Sequence, residues 1–458
     1  MSTPMESHQI HVMFLPFLAP GHMMPMVGIA RLLAANELRV TIITTTENAA
    51  CFSGSIHGDA ESGRAISFEL LSFPWEDAGL PEGCENMINA ATPEMTIRLI
   101  NGIDMLQPQI KHIFMEHRPD AIVSDYLFPW TVDVALELGI PRFAFSGSSF
   151  FNLCVANSIE LFRPHDKVSG DTDYFVVPGL PDEVHLTRSQ LPDYAKSDTA
   201  FSNLFLRLKE AERKSFGVLM NSFYELESDY ADHFSNVIGI QAWVLGPISL
   251  FNRHLSDSKF QGVKSSVCEH SCLRWLDSKT QNSVLYACFG SLVRFSKDQI
   301  TEVARAFQNS GINFIWVLGK VIRRENVKED EWWLPDGYED EVTASGRGMI
   351  LKGWAPQTQI LDHPAIRSFV THCGWNSILE GISAGVPLLT WPIFAEQFYN
   401  EKLVTQVLKI GVSVGNKTWK VWATQETPLI SRDIVEKAIH MVMGKSLESV
   451  KLRQRVSR

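Results

Sequence analysis

The stretch from Trp354 to Gln397 reads WAPQTQILDHPAIRSFVTHCGWNSILEGISAGVPLLTWPIFAEQ and decides the fold class. It holds two short apolar runs, Phe369–His372 and Pro387–Thr390, and each is followed by a loop with polar residues. Apolar runs of this length are typical of strands buried in a parallel sheet. Between them the residues from Ile378 onward read as a helix, so the pattern predicts a strand–helix–strand unit.

The same alternation extends outward in both directions. In the first half, the strand Ile10–Phe17 precedes a helix at Pro25–Glu37, and in the second half the strand Ser283–Phe289 precedes a helix at Lys297–Gln308. Strands that alternate with helices in this way predict an α/β fold with doubly wound parallel sheets. The further predicted strands are Arg39–Thr46, Ala121–Asp125, Arg142–Ser146, Gly217–Asn221, Asn313–Leu318 and Met349–Gly353.

The stretch Pro247–Ser271 separates the two series. It is polar, mixed in charge and weakly periodic, which favours an interdomain linker. We therefore predict two doubly wound domains, residues 1–248 and 272–458, joined by a linker at 249–271. Ligands of such sheets bind beyond the carboxyl ends of the strands, so functional residues are expected in the loops that follow strands.

Composition excludes several classes of protein. The 458 residues include 41 Lys and Arg against 52 Asp and Glu, which gives a net charge of −11. An acidic chain is poorly suited to nucleic-acid phosphates, and no apolar run approaches the roughly 18 residues of a membrane span. Seven scattered cysteines make no disulfide framework, and the first residues lack the pattern of a secretory signal. These features predict a soluble cytoplasmic protein that binds neither nucleic acid nor membrane.

Several ligand-binding motifs are missing from the sequence. No Gly-x-Gly-x-x-Gly follows the first strand, no phosphate-binding lysine loop occurs, and no Gly-x-Ser-x-Gly elbow is present. Dehydrogenases, phosphate-loop NTPases and α/β-hydrolases are therefore disfavoured. Cys268 and Cys272 lack the second pair of ligands that a zinc site requires, so no metal site is expected.

The loop after the strand Phe369–His372 has the chemistry of a phosphate site. Gly374 lets a ligand approach the backbone, while Asn376 and Ser377 fall at the start of the helix, where free N–H groups and the helix dipole attract phosphate. His372 adds a donor at the same edge. Each residue alone has an ordinary explanation as a cap or a surface side chain, and it is their combination that indicates a nucleotide.

Other groups in the same stretch suit the rest of a nucleotide sugar. Glu380 lies one turn into the helix, where its carboxylate can reach a hydroxyl beside the phosphates. Glu396 and Gln397 offer a carboxylate and an amide, which suit sugar hydroxyls. Trp354 offers a flat face for a base.

The whole stretch resembles the signature box of plant family-1 UDP-dependent glycosyltransferases, from its first residue to its last. The resemblance covers almost the whole chain, and its further motifs are Phe17–His22, Leu273–Asp277 and Phe289–Ser291. Two more segments, Gly79–Glu85 and Ile42–Thr46, are similar to the subgroup that glycosylates triterpenoids, steroids and flavonoids.

The resemblance implies a GT-B fold, in which two Rossmann-like domains face each other across a cleft. The N-terminal domain would bind the acceptor and the C-terminal domain the UDP-sugar. The residues implied to hold the uridine are Trp354, Ala355, Gln357 and Glu380. The residues implied at the diphosphate are Ser291, His372, Gly374, Asn376 and Ser377. The residues implied at the sugar are Ser146, Trp375, Glu396 and Gln397, and Ala395 would border the acceptor.

The resemblance also implies a catalytic pair. His22 follows the first strand and would act as the general base on the acceptor hydroxyl, which it would also help to bind. Asp125 ends the strand Ala121–Asp125 and would orient the imidazole and stabilise its charged form. The reaction would be an in-line displacement with inversion at the anomeric carbon, and no metal or other cofactor is expected.

The implied function is a monomeric UDP-glucose-dependent O-glucosyltransferase. Its acceptor would be a hydroxyl (or carboxyl) of a small lipophilic plant metabolite, such as a triterpenoid or steroid sapogenin or a flavonoid. The acceptor pocket is expected from the loops at Glu76–Asn101 and Leu180–Ala200, with Phe150, Phe151 and Phe201 as lining residues.

Two alternatives remain open. One is a UDP-galactose, UDP-glucuronate or pentose donor. The other is a catalytically weakened protein that only binds nucleotide sugars, because members of this family usually continue beyond the position of Arg458 with a helix that crosses back to the first domain.

Overall fold

The computed structural model describes residues 8–197, 199–254, 269–319, 333–421 and 425–457. In its first half, the described strands β1, β2, β3, β4, β5, β8 and β9 form one parallel sheet in the order β3-β2-β1-β4-β5-β8-β9, while β6 and β7 pair as an antiparallel hairpin. These strands are β1 (His11–Leu15), β2 (Arg39–Thr45), β3 (Ile66–Leu71), β4 (Ala121–Asp125), β5 (Arg142–Ser146), β6 (Tyr174–Val176), β7 (His185–Thr187), β8 (Gly217–Met220) and β9 (Ala242–Val244).

The second half of the described chain builds a six-stranded parallel sheet in the order β12-β11-β10-β13-β14-β15. Its strands are β10 (Val284–Cys288), β11 (Asn313–Leu318), β12 (Gly348–Lys352), β13 (Ile366–Thr371), β14 (Leu388–Thr390) and β15 (Gly411–Ser413). The chain is therefore an α/β protein with two doubly wound sheets, as the sequence predicts.

Helices cover the faces of both sheets. One buried apolar cluster includes Val218 of the first half and Trp375 of the second, so the two halves pack directly against each other. The helices are α1 (Pro20–Ala35), α2 (Thr46–Ala50), α3 (Ser53–Glu61), α4 (Trp75–Ala78), α5 (Pro93–Met105), α6 (Gln107–His117), α7 (Thr131–Leu138), α8 (Phe150–Phe162), α9 (Asp193–Lys196), α10 (Ala200–Lys214), α11 (Ser228–His233), α12 (Ile248–His254), α13 (Glu269–Asp277), α14 (Lys297–Asn309), α15 (Tyr338–Ser345), α16 (Gln357–Leu361), α17 (Trp375–Ser383), α18 (Gln397–Lys402), α19 (Arg432–Met443) and α20 (Leu447–Val456).

Short helices of other types complete the described chain. The 3-10 helices are Met87–Asn89, Pro164–Lys167, Arg188–Gln190 and Tyr224–Leu226, and the π-helices are Phe234–Ile238 and Leu403–Val407. None of the helices in the described ranges is both long and apolar enough to cross a membrane.

Strand order places the ligand-binding edge of each sheet. In the first sheet the direction of winding reverses between β1 and β4, and in the second it reverses between β10 and β13. Loops that follow strands at such a reversal border a natural crevice for ligands. His22 and Asp125 lie at the first reversal, and Ser291 and His372 lie at the second.

Some helix boundaries differ from the sequence predictions. Helix α1 begins at Pro20 instead of Pro25, because proline is well accommodated in the first turn of a helix. Helix α17 begins at Trp375 instead of Ile378, with Gly374 as its N-cap. Asn376 and Ser377 therefore lie within the first turn and do not cap it.

The predicted linker is helical where its first residues are described. Residues 248–254 form helix α12, which packs against α1 through the buried side chain of Ile248. Residues 255–268 of the predicted linker lie outside the described residues, as does Cys268. The domain limits at 248 and 272 remain predictions.

Candidate active site

A histidine and a buried aspartate meet at the reversal point of the first sheet. The Nδ1 atom of His22, in the first turn of α1, lies 2.7 Å from Oδ2 of Asp125, the last residue of β4. The Asp125 side chain is fully buried, and its Oδ1 accepts a hydrogen bond of 3.0 Å from the backbone N–H of Leu127. The carboxylate is thus fixed on both oxygens, and it fixes the imidazole in turn.

Opposing effects act on the pKa of His22. Burial lowers it, whereas the charge of Asp125, the hydrogen bond to Asp125 and the charge of Glu396 raise it, and the net result is a raised pKa. The imidazole also lies between two rings, since Phe17 meets it edge-on at 5.5 Å and Tyr126 stacks on it at 6.3 Å. Its partial exposure of 26% leaves it reachable by a substrate.

Glu396, in the second half of the chain, lies close enough to His22 for its charge to raise the pKa of the imidazole. It is the N-cap of α18, its Oε1 accepts a hydrogen bond of 3.4 Å from Nδ2 of Asn400, and burial raises its pKa. Its charge acts on His22 and also on Tyr194, whose ring stacks on Phe205. The predicted sugar-binding carboxylate and the predicted base are therefore close enough for their charges to interact.

His372 lies between two glycines at the reversal point of the second sheet. A Cβ on Gly290 would stand 2.6 Å from the ring, and a Cβ on Gly374 would stand 2.5 Å from its Nε2, so only glycine fits at these positions without a shift. Burial lowers the pKa of His372 to about 4, which keeps the ring neutral near pH 7. Among the described residues, its Nδ1 has no hydrogen-bond partner.

Gln357 joins residues that the sequence assigns to different parts of the nucleotide. Its Nε2 donates to Oε2 of Glu380 at 2.7 Å and to Oγ of Ser377 at 3.1 Å. Its Oε1 accepts a hydrogen bond of 3.1 Å from the hydroxyl of Tyr286. The structure therefore brings the predicted uridine residues Gln357 and Glu380 together with the predicted diphosphate residue Ser377.

The indole of Trp375 packs between the two halves of the molecule. It is buried, and its Nε1 donates a hydrogen bond of 2.7 Å to the backbone carbonyl of Asn221 in the first half. Contact between this residue and a sugar would consequently involve the backbone at the start of α17. The neighbouring Asn376 also reaches the first half, where its Nδ2 donates to the carbonyl of Gly21 at 2.9 Å.

Gln397 is more constrained than the sequence suggests. Its Oε1 accepts hydrogen bonds from the backbone N–H groups of Ile393 and Phe394, at 2.9 and 3.1 Å. The carbonyl end of the amide thus shapes its own loop, and the NH₂ end is the part that can serve a ligand. Ala395 adopts a positive φ of 51° in this loop, and its carbonyl accepts a hydrogen bond of 2.9 Å from Nε1 of Trp419.

The remaining predicted donor residues have varied surroundings. Ser146 is buried at the end of β5, and Ser291 is exposed in the turn after β10. Trp354 lies two residues beyond β12 and is partly buried, next to the buried Ala355. The backbone carbonyl of Ala355 accepts a hydrogen bond of 2.8 Å from the N–H of Gln357, which ties this segment to the cluster around Gln357.

Two predicted acceptor-lining residues belong to the core instead. Phe150 and Phe151 are almost fully buried, and they pack edge-on against Phe234 and Tyr230. They lie in the first turn of α8, where the helix presses against α11. The side chain of Phe201 lies outside the described residues.

Sequence reasoning missed Arg142, a buried cation beneath the candidate pair. Its guanidinium donates to the backbone carbonyls of Asp125 and Phe128, and burial lowers its pKa to about 10. A charged residue at the start of an otherwise apolar strand was the available signal. It anchors the turn that carries Asp125.

Within the described ranges, no group of three or more His, Cys, Asp or Glu residues could hold a metal ion. The expectation that catalysis needs no metal remains a prediction.

Comparison with known proteins decides the family. A family model described as UDP-glucoronosyl and UDP-glucosyl transferase matches residues 210–420. Scopoletin glucosyltransferase of Nicotiana tabacum is 45% identical over 437 residues, which cover 95% of this chain and 90% of the relative. The chain belongs to the plant family-1 UDP-glycosyltransferases. It is accordingly a UDP-glycosyltransferase enzyme.

Two further matches cover the chain equally well. Soyasapogenol B glucuronide galactosyltransferase of Glycine max is 43% identical over 98% of this chain and 90% of its own length. The crystal structure of Glycyrrhiza uralensis UGT73P12, complexed with glycyrrhetinic acid 3-O-monoglucuronide, is 43% identical and superposes with a TM-score of 0.90 over 98% of this chain and 90% of that one. This UDP-glycosyltransferase therefore has the GT-B fold that the resemblance implied.

Proposed function

We propose that this UDP-glycosyltransferase is an inverting UDP-glucose-dependent O-glucosyltransferase that modifies a hydroxyl (or carboxyl) group of a small lipophilic plant metabolite. The observation that carries the proposal is the 2.7 Å pairing of His22 with the buried Asp125, at a site where the charge of Glu396 from the second half also acts on the imidazole. A base held by a carboxylate suits an acceptor hydroxyl, which is a weak nucleophile until its proton is removed.

The reaction follows from this arrangement. Because Nδ1 of His22 is engaged by Asp125, Nε2 is the atom that accepts the proton of the acceptor hydroxyl. The acceptor oxygen then forms a bond to the anomeric carbon as the bond from that carbon to the UDP oxygen breaks, and UDP departs from the opposite face. The configuration is inverted, and Asp125 stabilises the imidazolium that forms.

The donor half stabilises the leaving diphosphate with neutral groups. His372 is uncharged near pH 7 because its pKa is about 4, so it acts as a hydrogen-bond donor and not as a cation. The free N–H groups at the start of α17 add their partial positive charge. Such fixed donors are worth most where charge develops during the reaction.

Glucose is the proposed sugar, with UDP-galactose as the alternative. The tobacco relative is named as a glucosyltransferase and the soybean relative as a galactosyltransferase, at nearly equal identity. UDP-glucuronate and pentose donors are further alternatives. The proposed acceptors are triterpenoid or steroid sapogenins and flavonoids, because the rings of Phe17, Tyr126 and Tyr194 near the base suit a flat apolar molecule.

The test is a transfer assay with purified protein. UDP-glucose, UDP-galactose and UDP-glucuronate are each supplied with a panel of flavonoids and sapogenins, and products are identified by mass and by the anomeric configuration in proton NMR. We expect a β-glucoside from the α-linked donor. An α-glucoside would contradict inversion, a preference for another donor would replace the sugar assignment, and binding of UDP without any transfer would favour a weakened protein.

A monomeric state and a cytoplasmic location are further proposals that rest on the sequence alone. Light scattering of the eluted protein at several concentrations tests the first. Imaging of a fluorescent fusion in plant cells tests the second.

A further inference from the structure

A chain of side-chain amides connects the two halves of the molecule beside the candidate base. Nδ2 of Asn221, just after β8, donates a hydrogen bond of 3.2 Å to Oδ1 of Asn376 in the first turn of α17. Nδ2 of Asn376 donates a hydrogen bond of 2.9 Å to the carbonyl of Gly21. Gly21 immediately precedes His22, so this chain ends one residue from the candidate base.

The donor and acceptor of every hydrogen bond in this series of amides are determined by the backbone N–H of Ile248 at its far end. The backbone N–H of Ile248 can only donate, and it donates to Oδ1 of Asn221 at 3.0 Å. Nδ2 of Asn221 must therefore face Asn376, and Asn376 must present its own Oδ1 to Asn221 and its Nδ2 to Gly21. A flip of either amide would set two acceptors or two donors against each other.

Asn221 makes one more bond to the donor half. Its backbone carbonyl accepts the indole N–H of Trp375 at 2.7 Å, so one residue holds the first two side chains of α17. The site is also close-packed, because a Cβ on Gly246 would stand 2.6 Å from Oδ1 of Asn221. Asn221 is 4% exposed, which makes an unpaired amide costly at this position.

We propose that Asn221 is a positioning residue for glycosyl transfer. It orients Asn376 and thereby sets the start of α17, where the diphosphate is proposed to bind, against the turn that carries His22. The inference rests on the proposed role of His22. An amide carries two N–H bonds, and the one that Asn376 does not give to Gly21 remains for a diphosphate oxygen.

The informative variant is Asn221→Asp. It keeps the size of the side chain, the acceptor for Ile248 and the carbonyl for Trp375, but it places an oxygen against Oδ1 of Asn376. Asn376 then turns, and its own oxygen opposes the carbonyl of Gly21. Because small errors in alignment cost up to about a hundredfold in rate, we expect kcat for transfer to fall by about tenfold to a hundredfold.

Two readouts separate positioning from a merely structural role. The dissociation constant for UDP, measured by calorimetry, should rise by less than kcat falls, at most about tenfold, because the turned Asn376 loses one bond to the diphosphate while the other UDP contacts within the second half remain. The fraction of UDP-glucose that is hydrolysed to free glucose should rise, because water needs no alignment with a bound acceptor. Asn36→Asp makes the same chemical change at the exposed C-terminal end of α1 and should leave both quantities unchanged.

A double-mutant cycle with Asn376→Ala decides whether Asn221 acts through Asn376. Coupled residues give non-additive effects, so Asn221→Asp should add little to the loss of kcat already caused by Asn376→Ala. Additive losses, or an unchanged kcat and hydrolysed fraction in Asn221→Asp, would overturn the proposal. Asn221→Ser breaks the same bond without a new charge and serves if the aspartate variant does not fold.

The base assignment is checked separately in the same assays. If His22→Ala keeps normal turnover, the assignment of His22 fails, whatever the result at Asn221. If His22→Ala is inactive and Asn221→Asp behaves like wild type, only the positioning role fails.

Discussion

Two histidines mark the two sides of the cleft, and their surroundings give them opposite properties. His22 in the first half is paired with the buried Asp125 and faces Glu396, and its pKa is raised. His372 in the second half lies between two glycines, and burial lowers its pKa to about 4. Each follows a strand at the point where the winding of its sheet reverses.

The comparison shows that the groups around a histidine determine whether it suits proton transfer or neutral hydrogen-bond donation. A raised pKa and a carboxylate partner suit a group that must accept a proton and carry a charge for a moment. A lowered pKa suits a group that must stay neutral and donate a hydrogen bond to a departing diphosphate. The acceptor half would thus supply proton transfer, and the donor half would supply fixed dipoles.

The largest expected effect comes from His22→Ala. Loss of the base should lower kcat by about two to four powers of ten, the usual contribution of general-base catalysis. The affinity for UDP should hardly change, because His22 belongs to the acceptor half. Steady-state transfer rates and calorimetry with UDP measure both quantities.

The chain offers a matched control in a second histidine–aspartate pair. His8 lies 2.8 Å from Asp120, but both side chains are exposed. His8→Ala should leave turnover unchanged. Near-normal turnover in His22→Ala would remove the histidine from the mechanism.

The next effect comes from Asp125→Asn. We expect kcat to fall by about a hundredfold to a thousandfold, because the imidazole loses its orienting charge while the base itself remains. The pH profile should also move. The charge of Asp125 raises the pKa of His22, and the base works only when neutral, so activity in the wild type falls as pH drops through a pKa above 6.5. In the variant this acid limb should lie at lower pH, and an unmoved limb would contradict the pairing.

A smaller effect is expected on the other side of the cleft. His372→Ala removes one neutral donor from the diphosphate, which should lower kcat by about a hundredfold. The acid limb should stay where it is in the wild type, because a group with a pKa of about 4 does not titrate near neutral pH. A shift of the limb would mean that this histidine, and not only His22, changes charge during turnover.

Gly374→Ala should imitate His372→Ala through packing alone. The added methyl group would lie 2.5 Å from Nε2 of His372 and force the ring to move, although the backbone of Gly374 has a φ that alanine accepts. Gly58→Ala in α3 adds a methyl group to open space and serves as the control. Normal activity in Gly374→Ala would show that the ring position is unimportant.

The buried central strands and the edge strands β3 and β15 differ in how well sequence predicts them, whereas the edge strand β12 is predicted to within one residue. Ala121–Asp125, Arg142–Ser146 and Asn313–Leu318 match the structure at both ends, because buried parallel strands are almost continuously apolar. The strands β3 and β15 lie at sheet edges, where side chains are partly exposed and the apolar run is broken. The sequence pattern therefore does not predict them.

Sequence also predicts only part of the candidate site, because contacts between the two halves cannot be read from either segment alone. The resemblance to the family pairs His22 with Asp125, and the structure accounts for the pairing because His22 follows β1 and Asp125 ends the neighbouring strand β4. The bonds of Asn221 and the inward turn of Trp375 could not be predicted, because they depend on how the second half packs against the first. Such contacts leave no periodic signal in either segment.

The smallest effect concerns the choice of sugar, and it tests whether the donor half works by fixed hydrogen bonds alone. The two loop N–H groups of Ile393 and Phe394 hold Oε1 of Gln397, so its amide can present only NH₂ to a sugar hydroxyl. Glucose and galactose differ in the direction of one hydroxyl, and a misplaced hydroxyl leaves a buried polar group unpaired at a cost of about 1–3 kcal/mol. We therefore expect UDP-glucose to be preferred over UDP-galactose by at least about tenfold in kcat/KM.

Gln397→Glu keeps the oxygen for both loop N–H groups and removes the NH₂ donor, so the preference should shrink while the unfolding temperature stays close to that of the wild type. Competition between the two donors with one accepted aglycone measures the ratio, and an unchanged ratio in the variant would show that another residue, such as the neighbouring Glu396, selects the sugar.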